Sequence, residues 1–360
     1  MFASSSQLIV KHPKQLTKTW AQNVLANHSP NITVSAVNLI SVDVGTTSRI
    51  HLEVSHDGTN DLPRHWFIKL PSLTWQARAI TALPRLLATE VYFYQNLIHQ
   101  VPLDTAPLLM AASHFGIGST LVLADIRENG AQAGSAGQAL SAEQAHAIIS
   151  KLAEFHSRFW NQNQQNPPYQ KLAGPIRHLE NKLGSLFAVP LMKRGLKKAG
   201  EEVDKQLHQP AIAYAQQRKR IMDLLNQGSQ TLIHRDCHPG NFFWKDNQPG
   251  FLDWQLVRFG ESIADVAYLL ATALEPETRR EYEKPLIQHY CQSLNQHGIK
   301  EVNFETLWQR YQIHLCYPFE AMLITLAVGG MMELQSNLTM IRRSAAAVAD
   351  HQVFKLLQVD

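Results

Sequence analysis

One string restricts this chain more than any other: His234-Arg235-Asp236-Cys237-His238-Pro239-Gly240-Asn241. An Asp is followed five positions later by an Asn, and Pro and Gly between them turn the chain. Twelve residues further on, Asp253 follows the apolar pair Phe251-Leu252 and precedes Trp254-Gln255. The spacing has a chemical reason. A loop of this length lets a carboxylate reach a substrate hydroxyl while the amide turns back toward a metal ion, both on one side of a phosphate in transfer. A second carboxylate at the tip of a buried strand supplies the remaining protein ligand, since Mg²⁺ favours one or two carboxylates plus phosphate oxygens. Thr231 to Trp254 therefore reads as a β-rich island with a turn over Asp246-Asn247-Gln248-Pro249-Gly250. A helix-capping Asp beside an unrelated turn would explain either motif alone. It does not explain both in this order on one expected hairpin.

The rest of the chain is compatible with that chemistry. At 360 residues it holds two to three domain-lengths, enough for a large core without disulfide or metal staples. Apolar residues at 45% and charged residues at 18% exclude disorder, collagen and coiled coil as overall descriptions. A formal net charge of +3 is too weak to imply a nucleic-acid surface. Cys237, Cys291 and Cys316 form no C-x-x-C pair, which argues for a reducing compartment. Met1 to Lys14 lacks the pattern of a secretory signal. The apolar run Ala321 to Met332 is too short to span a bilayer and reads as a buried helix. The expectation is a cytoplasmic protein with no nucleic-acid or membrane partner; nothing in the sequence sets its oligomeric state.

Periodicity divides the chain. Leu16 to Asn27 has helical spacing of Leu16, Trp20, Val24 and Leu25. Ile32 to Val44, Ser48 to Ser55 and His65 to Leu70 read as strands, with a turn at Asp57-Gly58-Thr59-Asn60. Pro84 to Gln100 reads as a helix through Leu87, Val91, Tyr94 and Ile98. Leu121-Val122-Leu123 is a further strand candidate. The Gly- and Ala-rich stretch Ala124 to Gly137 reads as a linker, and Ser141 as the cap of a helix carrying His146, Ile149, Leu152 and Phe155. Beyond it the pattern is helical: a basic region from Arg177 to Arg220, then Ala264 to Leu357. The fold class is α+β, a small β-rich lobe (1–124) followed by a larger, mostly helical lobe (125–360).

The form H-R-D-x-x-x-x-N is that of a kinase catalytic loop, and Asp253 takes the place of the Asp in D-F-G. Supporting parts stand upstream in the required order. Trp66-Phe67-Ile68-Lys69 resembles the V-A-I-K strand, whose Lys reaches the nucleotide phosphates. Glu90 lies on the next helix and is the expected partner of Lys69. Each alone reads as a solvated charge; the order of all the parts favours the functional reading. Val44-Gly45-Thr46-Thr47-Ser48-Arg49 stands where a Gly-rich loop belongs but offers one Gly. Its backbone amides and the hydroxyls of Thr46, Thr47 and Ser48 can cradle phosphates, or the segment is an ordinary hairpin turn.

On these residues the chain resembles the aminoglycoside phosphotransferase and choline kinase-like superfamily, close to the ecdysteroid kinase-like group of bacterial phosphotransferases. Leu152-Ala153-Glu154-Phe155-His156-Ser157-Arg158-Phe159-Trp160 and Asp265-Val266-Ala267-Tyr268 add to the likeness, which covers residues 20 to 330. The resemblance implies a protein kinase-like two-lobe fold and ATP- or GTP-dependent phosphorylation of a hydroxyl on a small molecule. By it, Asp236 is the catalytic base, and Asn241 and Asp253 hold Mg²⁺. Lys69 contacts phosphate, Glu90 anchors Lys69, and Gly45, Thr46, Thr47 and Ser48 face the phosphates. Ala124 and Ile126 offer hinge backbone to the base, although Ala124-Asp125-Ile126 replaces the family's Glu-Asp-Leu. His234 braces the loop and Asp265 tethers the following helix.

Competing readings are a protein kinase, a non-catalytic nucleotide-binding protein and a hydrolase using His234 and His238. No A-P-E follows Asp253, and too few residues remain before the next helix for a peptide-docking segment. A non-catalytic relative would lack at least one of the parts found here. The histidines are accounted for by the kinase pattern. Cys237 is expected to pack rather than react, because phosphoryl transfer needs no covalent nucleophile. Trp308, Tyr311, Tyr317 and Phe319 read as core more than as a pocket wall. Lys and Arg outnumber Asp and Glu between Arg177 and Arg220, which disfavours a polycationic acceptor and favours a neutral or anionic alcohol.

Overall fold

The computed structural model describes residues 7–45, 47–59, 61–73, 85–173 and 175–359, with backbone alone over 175–183. Thr46, Asn60 and Pro84 lie outside the described residues, as do the side chains of Arg177, Glu180 and Lys182. The chain forms two compact units. The first comprises Met1–Gln100, Asp104–Ala133 and Phe251–Leu256; the second comprises Val101–Leu103, Gly134–Gly250 and Val257–Asp360.

The first unit is organised by an antiparallel sheet of five strands: β1 (Val34–Val44), β2 (Thr47–His56), β3 (His65–Pro71), β4 (Leu108–His114) and β5 (Gly118–Ala124), in the order β1-β2-β3-β5-β4. On the central strand β3, side chains alternate between the two faces. Trp66, Ile68 and Leu70 enter a core with Ile50, Leu52, Val54 and Val122. Helix α1 (Lys18–Leu25), capped by Thr17, presses Trp20, Val24 and Leu25 into that core, and Trp20 meets Trp66 edge-to-face at 6.2 Å. Burying each large side chain of this set contributes about 1.5–3 kcal/mol. The same alternation turns Lys69 to the opposite face, toward α2 (Leu86–Asn96). Helix α2 is shorter than the sequence pattern suggests; Ile98–Gln100 forms a separate 3₁₀ turn.

Strand β4 has no counterpart in the sequence reading. Its segment Leu-Leu-Met-Ala-Ala-Ser-His is rich in good helix formers. Pairing with β5 over Met110↔Val122 to His114↔Gly118 overrides that propensity.

The second unit is mostly helical. Helix α3 (Ala142–Arg158) starts in a capping box, with Ser141 accepting from Gln144 N and the Gln144 side chain returning to the Ser141 N–H. Such a cap contributes about 1 kcal/mol. Its buried face is Ala145, Ile148, Ile149, Leu152, Ala153, Phe155 and His156; His146, expected on that face, is exposed. Then follow α4 (Pro175–Ala199), α5 (His208–Gln216) and α6 (Arg218–Leu224). Strands β6 (Gln230–Ile233), β7 (Phe242–Lys245), β8 (Gln248–Phe251) and β9 (Arg258–Glu261) come next. Helices α7 (Ile263–Ala273), α8 (Pro276–Gln296), α9 (Phe304–His314), α10 (Cys316–Val328) and α11 (Leu334–Asp350) follow, and a last short helix, Val353–Leu356, ends the unit. Every residue of α7 is buried, as expected of a helix that is apolar all round at the centre of a helical layer. The apolar run thought to end at Met332 ends at Val328, where Gly329 takes φ 79°. Among the described residues, no helix is long and apolar enough to cross a membrane, and the three cysteines are buried thiols.

The hairpin β7–β8 turns over two residues rather than five. Asp246 and Asn247 both adopt left-handed φ, at 50° and 61°, which suits the twist of a two-residue hairpin. Pro249 and Gly250 are therefore strand residues. A Cβ on Gly250 would lie 2.0 Å from the Phe243 ring, so the strand needs glycine to let that ring seat. Gly250→Ala is expected to cost about 1–3 kcal/mol by overpacking, read as a lower denaturant midpoint at unchanged slope.

Candidate active site

The candidate residues fall into two groups, one in each unit. In the first unit, Lys69 Nζ donates to both oxygens of Glu90, at 2.8 and 2.9 Å, and lies 3.0 Å from Asp253 Oδ1. Glu90 Oε1 also accepts the backbone N–H of Trp254 at 3.2 Å, and the Trp254 indole stacks on Phe93 at 4.5 Å. Glu90 thus binds the strand lysine and the segment after Asp253 at once. Burial opposes the Lys69 charge, but Asp253 and Glu90 outweigh it and hold the ammonium above its usual pKa. Burial pushes the Glu90 carboxyl up, against the pull of Lys69. Asp253 is the member open to solvent: its side chain is 29% exposed, against 3% for Lys69 and 0% for Glu90. Its φ of 62° is one that Asp tolerates.

The Gly45 turn closes on itself. Gly45 N donates to Thr47 O at 3.0 Å, and Gly45 O accepts from Ser72 Oγ at 2.8 Å. Thr47 and Ser48 are buried, and Ser48 Oγ accepts the N–H of Leu73 at 3.0 Å. At the β5 end, Ala124 N donates to Pro107 O, and Ile126 O accepts from Ala131 N. Asp125 caps the next turn by accepting from Arg127 N at 3.0 Å, and also binds His51 Nδ1 at 2.9 Å.

In the second unit, the loop after β6 hangs from one carboxylate. Asp265, wholly buried on the first turn of α7, accepts the N–H of His234 and of Arg235, both at 2.7 Å, and faces His156 Nε2 at 3.2 Å. His156 in turn meets the Tyr290 hydroxyl at 2.7 Å. Burial would raise the Asp265 pKa, but the hydrogen bond and charge of His156, the charge of His234 and the Arg235 N–H hold it below the usual carboxylate range. His234, fully buried, accepts the Asp236 N–H at Nδ1, 3.3 Å.

Asp236 is thereby presented with both oxygens engaged. Oδ1 accepts from the Tyr268 hydroxyl at 2.7 Å and Oδ2 from Asn241 Nδ2 at 3.0 Å, with His238 Nε2 at 3.7 Å. Asn241 also donates to Asp236 O at 2.8 Å, so the spacing of five residues closes a compact loop. The Asp236 side chain keeps 23% of its surface exposed. Cys237 points the other way: it is fully buried, and burial pushes its thiol pKa well up, which leaves no thiolate at neutral pH.

The sequence reading gives two residues of this loop's support no part in holding it. Tyr268 was recognised only as part of a motif; its contact with Asp236 follows from α7 carrying Asp265 and Tyr268 three apart, on one face. Gly134, taken as linker, packs against the loop. Its N–H donates to Phe242 O at 2.9 Å, and a Cβ there would sit 2.2 Å from Pro239 O.

Because the folded pKa of Asp265 lies below that of an unfolded Asp, about 4, its ionisation contributes stability above that pH and loses it as pH falls through the folded value. Asp265→Asn is expected to cost about 3 kcal/mol or more at pH 7. The gap to the wild type should narrow below about pH 4. Urea unfolding followed by circular dichroism at pH 7 and pH 3 measures both.

The chain has relatives. A model of the ecdysteroid kinase-like family matches residues 44–304, a span that holds every residue described in this section. No curated protein matches the chain by sequence. Among solved structures, choline kinase from Cryptosporidium parvum Iowa II is similar at a TM-score of 0.55 and 11% identity, over 94% of this chain and 98% of that one. An ethanolamine kinase from Plasmodium vivax gives 0.53 at 13% identity, over 95% and 91%. The GDP complex of aminoglycoside 2'-phosphotransferase-IIIa gives 0.52 at 14%, over 93% and 98%. The α+β, kinase-like fold expected from the sequence is the fold observed.

Proposed function

The chain belongs to the ecdysteroid kinase-like family, and from that premise we propose that it transfers the γ-phosphoryl group of ATP or GTP to a hydroxyl of a small, neutral or anionic alcohol. The observation that carries the reading is the Asp236 carboxylate, held between Tyr268 and Asn241 yet open to solvent. A structural Asp would be closed off by such partners; this one is fixed in place and left accessible. In the reaction, the acceptor oxygen attacks the γ-phosphorus while its proton passes to Asp236. The bond from the γ-phosphorus to the bridging oxygen breaks, and its electron pair leaves with the nucleoside diphosphate.

Asn241 and Asp253 are the proposed magnesium ligands. With Nδ2 turned to Asp236, Asn241 keeps its carbonyl oxygen for a cation, and Asp253 offers an exposed carboxylate; both are hard oxygen donors. When bound, Mg²⁺ neutralises charge on the phosphates. Lys69, kept cationic by its carboxylate partners, is assigned to the phosphates, and Glu90 to fixing Lys69. Gly45, Thr47 and Ser48 are assigned to the phosphate side and Ala124 and Ile126 to the base; Thr46 belongs to the same assignment. Residues 1–124 form the proposed nucleotide-binding lobe, and residues 125–360 the catalytic and substrate lobe. A reducing, cytoplasmic setting suits three buried thiols.

A small-molecule acceptor suits the chain after Asp253 better than a peptide. Only residues 254–262 separate Asp253 from α7, and Arg258–Glu261 among them are bound in β9. No peptide-docking segment fits there.

Asp236→Asn is expected to lower turnover about 10²–10⁴-fold with nucleotide binding retained; near-wild-type turnover would remove the mechanism. In calorimetry with ATP, Asp253→Ala should abolish the magnesium dependence of binding, and Asn241→Ala should weaken it less. Unchanged magnesium dependence in Asp253→Ala would place the metal elsewhere. Cys237→Ser should keep most activity; a thousandfold loss in a folded variant, about 4 kcal/mol of barrier, would give the thiol a role in the chemistry.

A further inference from the structure

Arg235 stands one residue before the proposed base in an unfavourable backbone conformation. Its φ is 71°, in the left-handed region where a side chain costs energy and glycine does not. Such a conformation persists where the surroundings enforce it, here through Asp265 holding the Arg235 N–H, and it clusters at functional sites. Its guanidinium lies over the Tyr317 ring at 4.1 Å. Tyr317 packs against Tyr268 at 6.0 Å, and the Tyr268 hydroxyl binds Asp236. Arg235, Tyr317 and the base are thus linked by consecutive contacts within the second unit. Arg235, Asp236 and Tyr317 are all partly open to solvent.

The nearby carboxylates are already committed. Asp265 is taken by two backbone N–H groups and His156. Glu261 is taken by Arg310, His314 and the Gly228 N–H. Both oxygens of Asp236 accept from Tyr268 and Asn241. Among the described residues, the Arg235 guanidinium has no hydrogen-bonded or ion-pair partner; it stacks on the Tyr317 ring, and its charge also reaches buried His314. Stacking on an aromatic face leaves the edge of the guanidinium, with its forked donors, open for a planar or tetrahedral oxyanion.

We infer that Arg235, seated on Tyr317, binds an anionic group of the acceptor, so that the substrate is an alcohol that also carries a carboxylate or phosphate. The inference rests on the phosphotransferase reading and narrows its neutral-or-anionic choice. Orientation of the hydroxyl toward Asp236 would follow from fixing the far end of the molecule.

The test is a panel of paired acceptors, read by release of nucleoside diphosphate with ATP and magnesium. Hydroxy acids are paired with their primary amides, and sugar phosphates with the free sugars. The wild type should prefer the charged member of at least one pair. Arg235→Gly suits the backbone conformation and so should fold. It is expected to lower kcat/KM for the charged member about 10–100-fold more than for its neutral counterpart, mostly through KM. Arg235→Lys should restore part of the difference as a point charge without the fork. Equal losses on both members would mean that Arg235 serves a step common to all acceptors, and would overturn the inference. Preference for neutral members in the wild type would overturn it too, while leaving the phosphotransferase reading intact. Wild-type activity on no alcohol of either kind would overturn that reading and the inference with it.

Discussion

The arrangement of the second unit depends on a single buried carboxylate. Asp265 has no exposure, and its charge persists there because it accepts two backbone N–H groups and faces an imidazole. A buried charge without such partners would neutralise or unfold its surroundings. The two N–H groups belong to His234 and Arg235, so satisfying Asp265 dictates where β6 ends and how the loop leaves it. Everything that Asp236 touches follows from that exit. Tyr268 comes from the same helix as Asp265, and Asn241 from the far side of the same loop.

The first unit obeys the same logic with an ion pair. Lys69 is nearly sealed, and a lone ammonium there would be costly. Two carboxylates offset that cost, one of them wholly buried and one partly open. Glu90 also holds the Trp254 N–H, and Trp254 rests on Phe93 of the helix that carries Glu90. The lysine, the helix and the segment carrying Asp253 therefore form one network. In both units a closed carboxylate positions an open one: Asp265 through the chain to Asp236, and Glu90 through Lys69 and Trp254 to Asp253. The open members are those with surface left for a ligand.

Charge balance around the loop then bears on specificity. Asp265, Glu261 and Asp236 each have donors of their own, and Arg235 is left over on an aromatic ring. On the proposed function, an uncompensated guanidinium beside a fixed carboxylate would favour acceptors that bring a negative charge and disfavour polycations. That direction agrees with the basic excess along the Arg177 to Arg220 region, although the two observations are independent.

Much of this was legible in the sequence, for a definite reason. Loop chemistry such as His234 to Asn241 is local: five residues must close on themselves, so the string itself carries the geometry. Period-two alternation likewise placed Ile68 and Lys69 on opposite faces of β3. What the sequence could not decide were relations between distant segments. Strand β4 reads as helical by composition and becomes a strand because β5 offers it a partner. The turn expected over five residues is two, because Asp246 and Asn247 take left-handed φ and Pro249 and Gly250 pair in the strand, where the Phe243 ring fills the place of a side chain on Gly250. Gly134 reads as linker and is glycine because the Pro239 carbonyl, a hundred residues away in the chain, occupies the place of a side chain. Residue types and short spacings set the chemistry available to this chain; packing between segments far apart in sequence decided which groups were closed, which stayed open, and which charge was left without a partner.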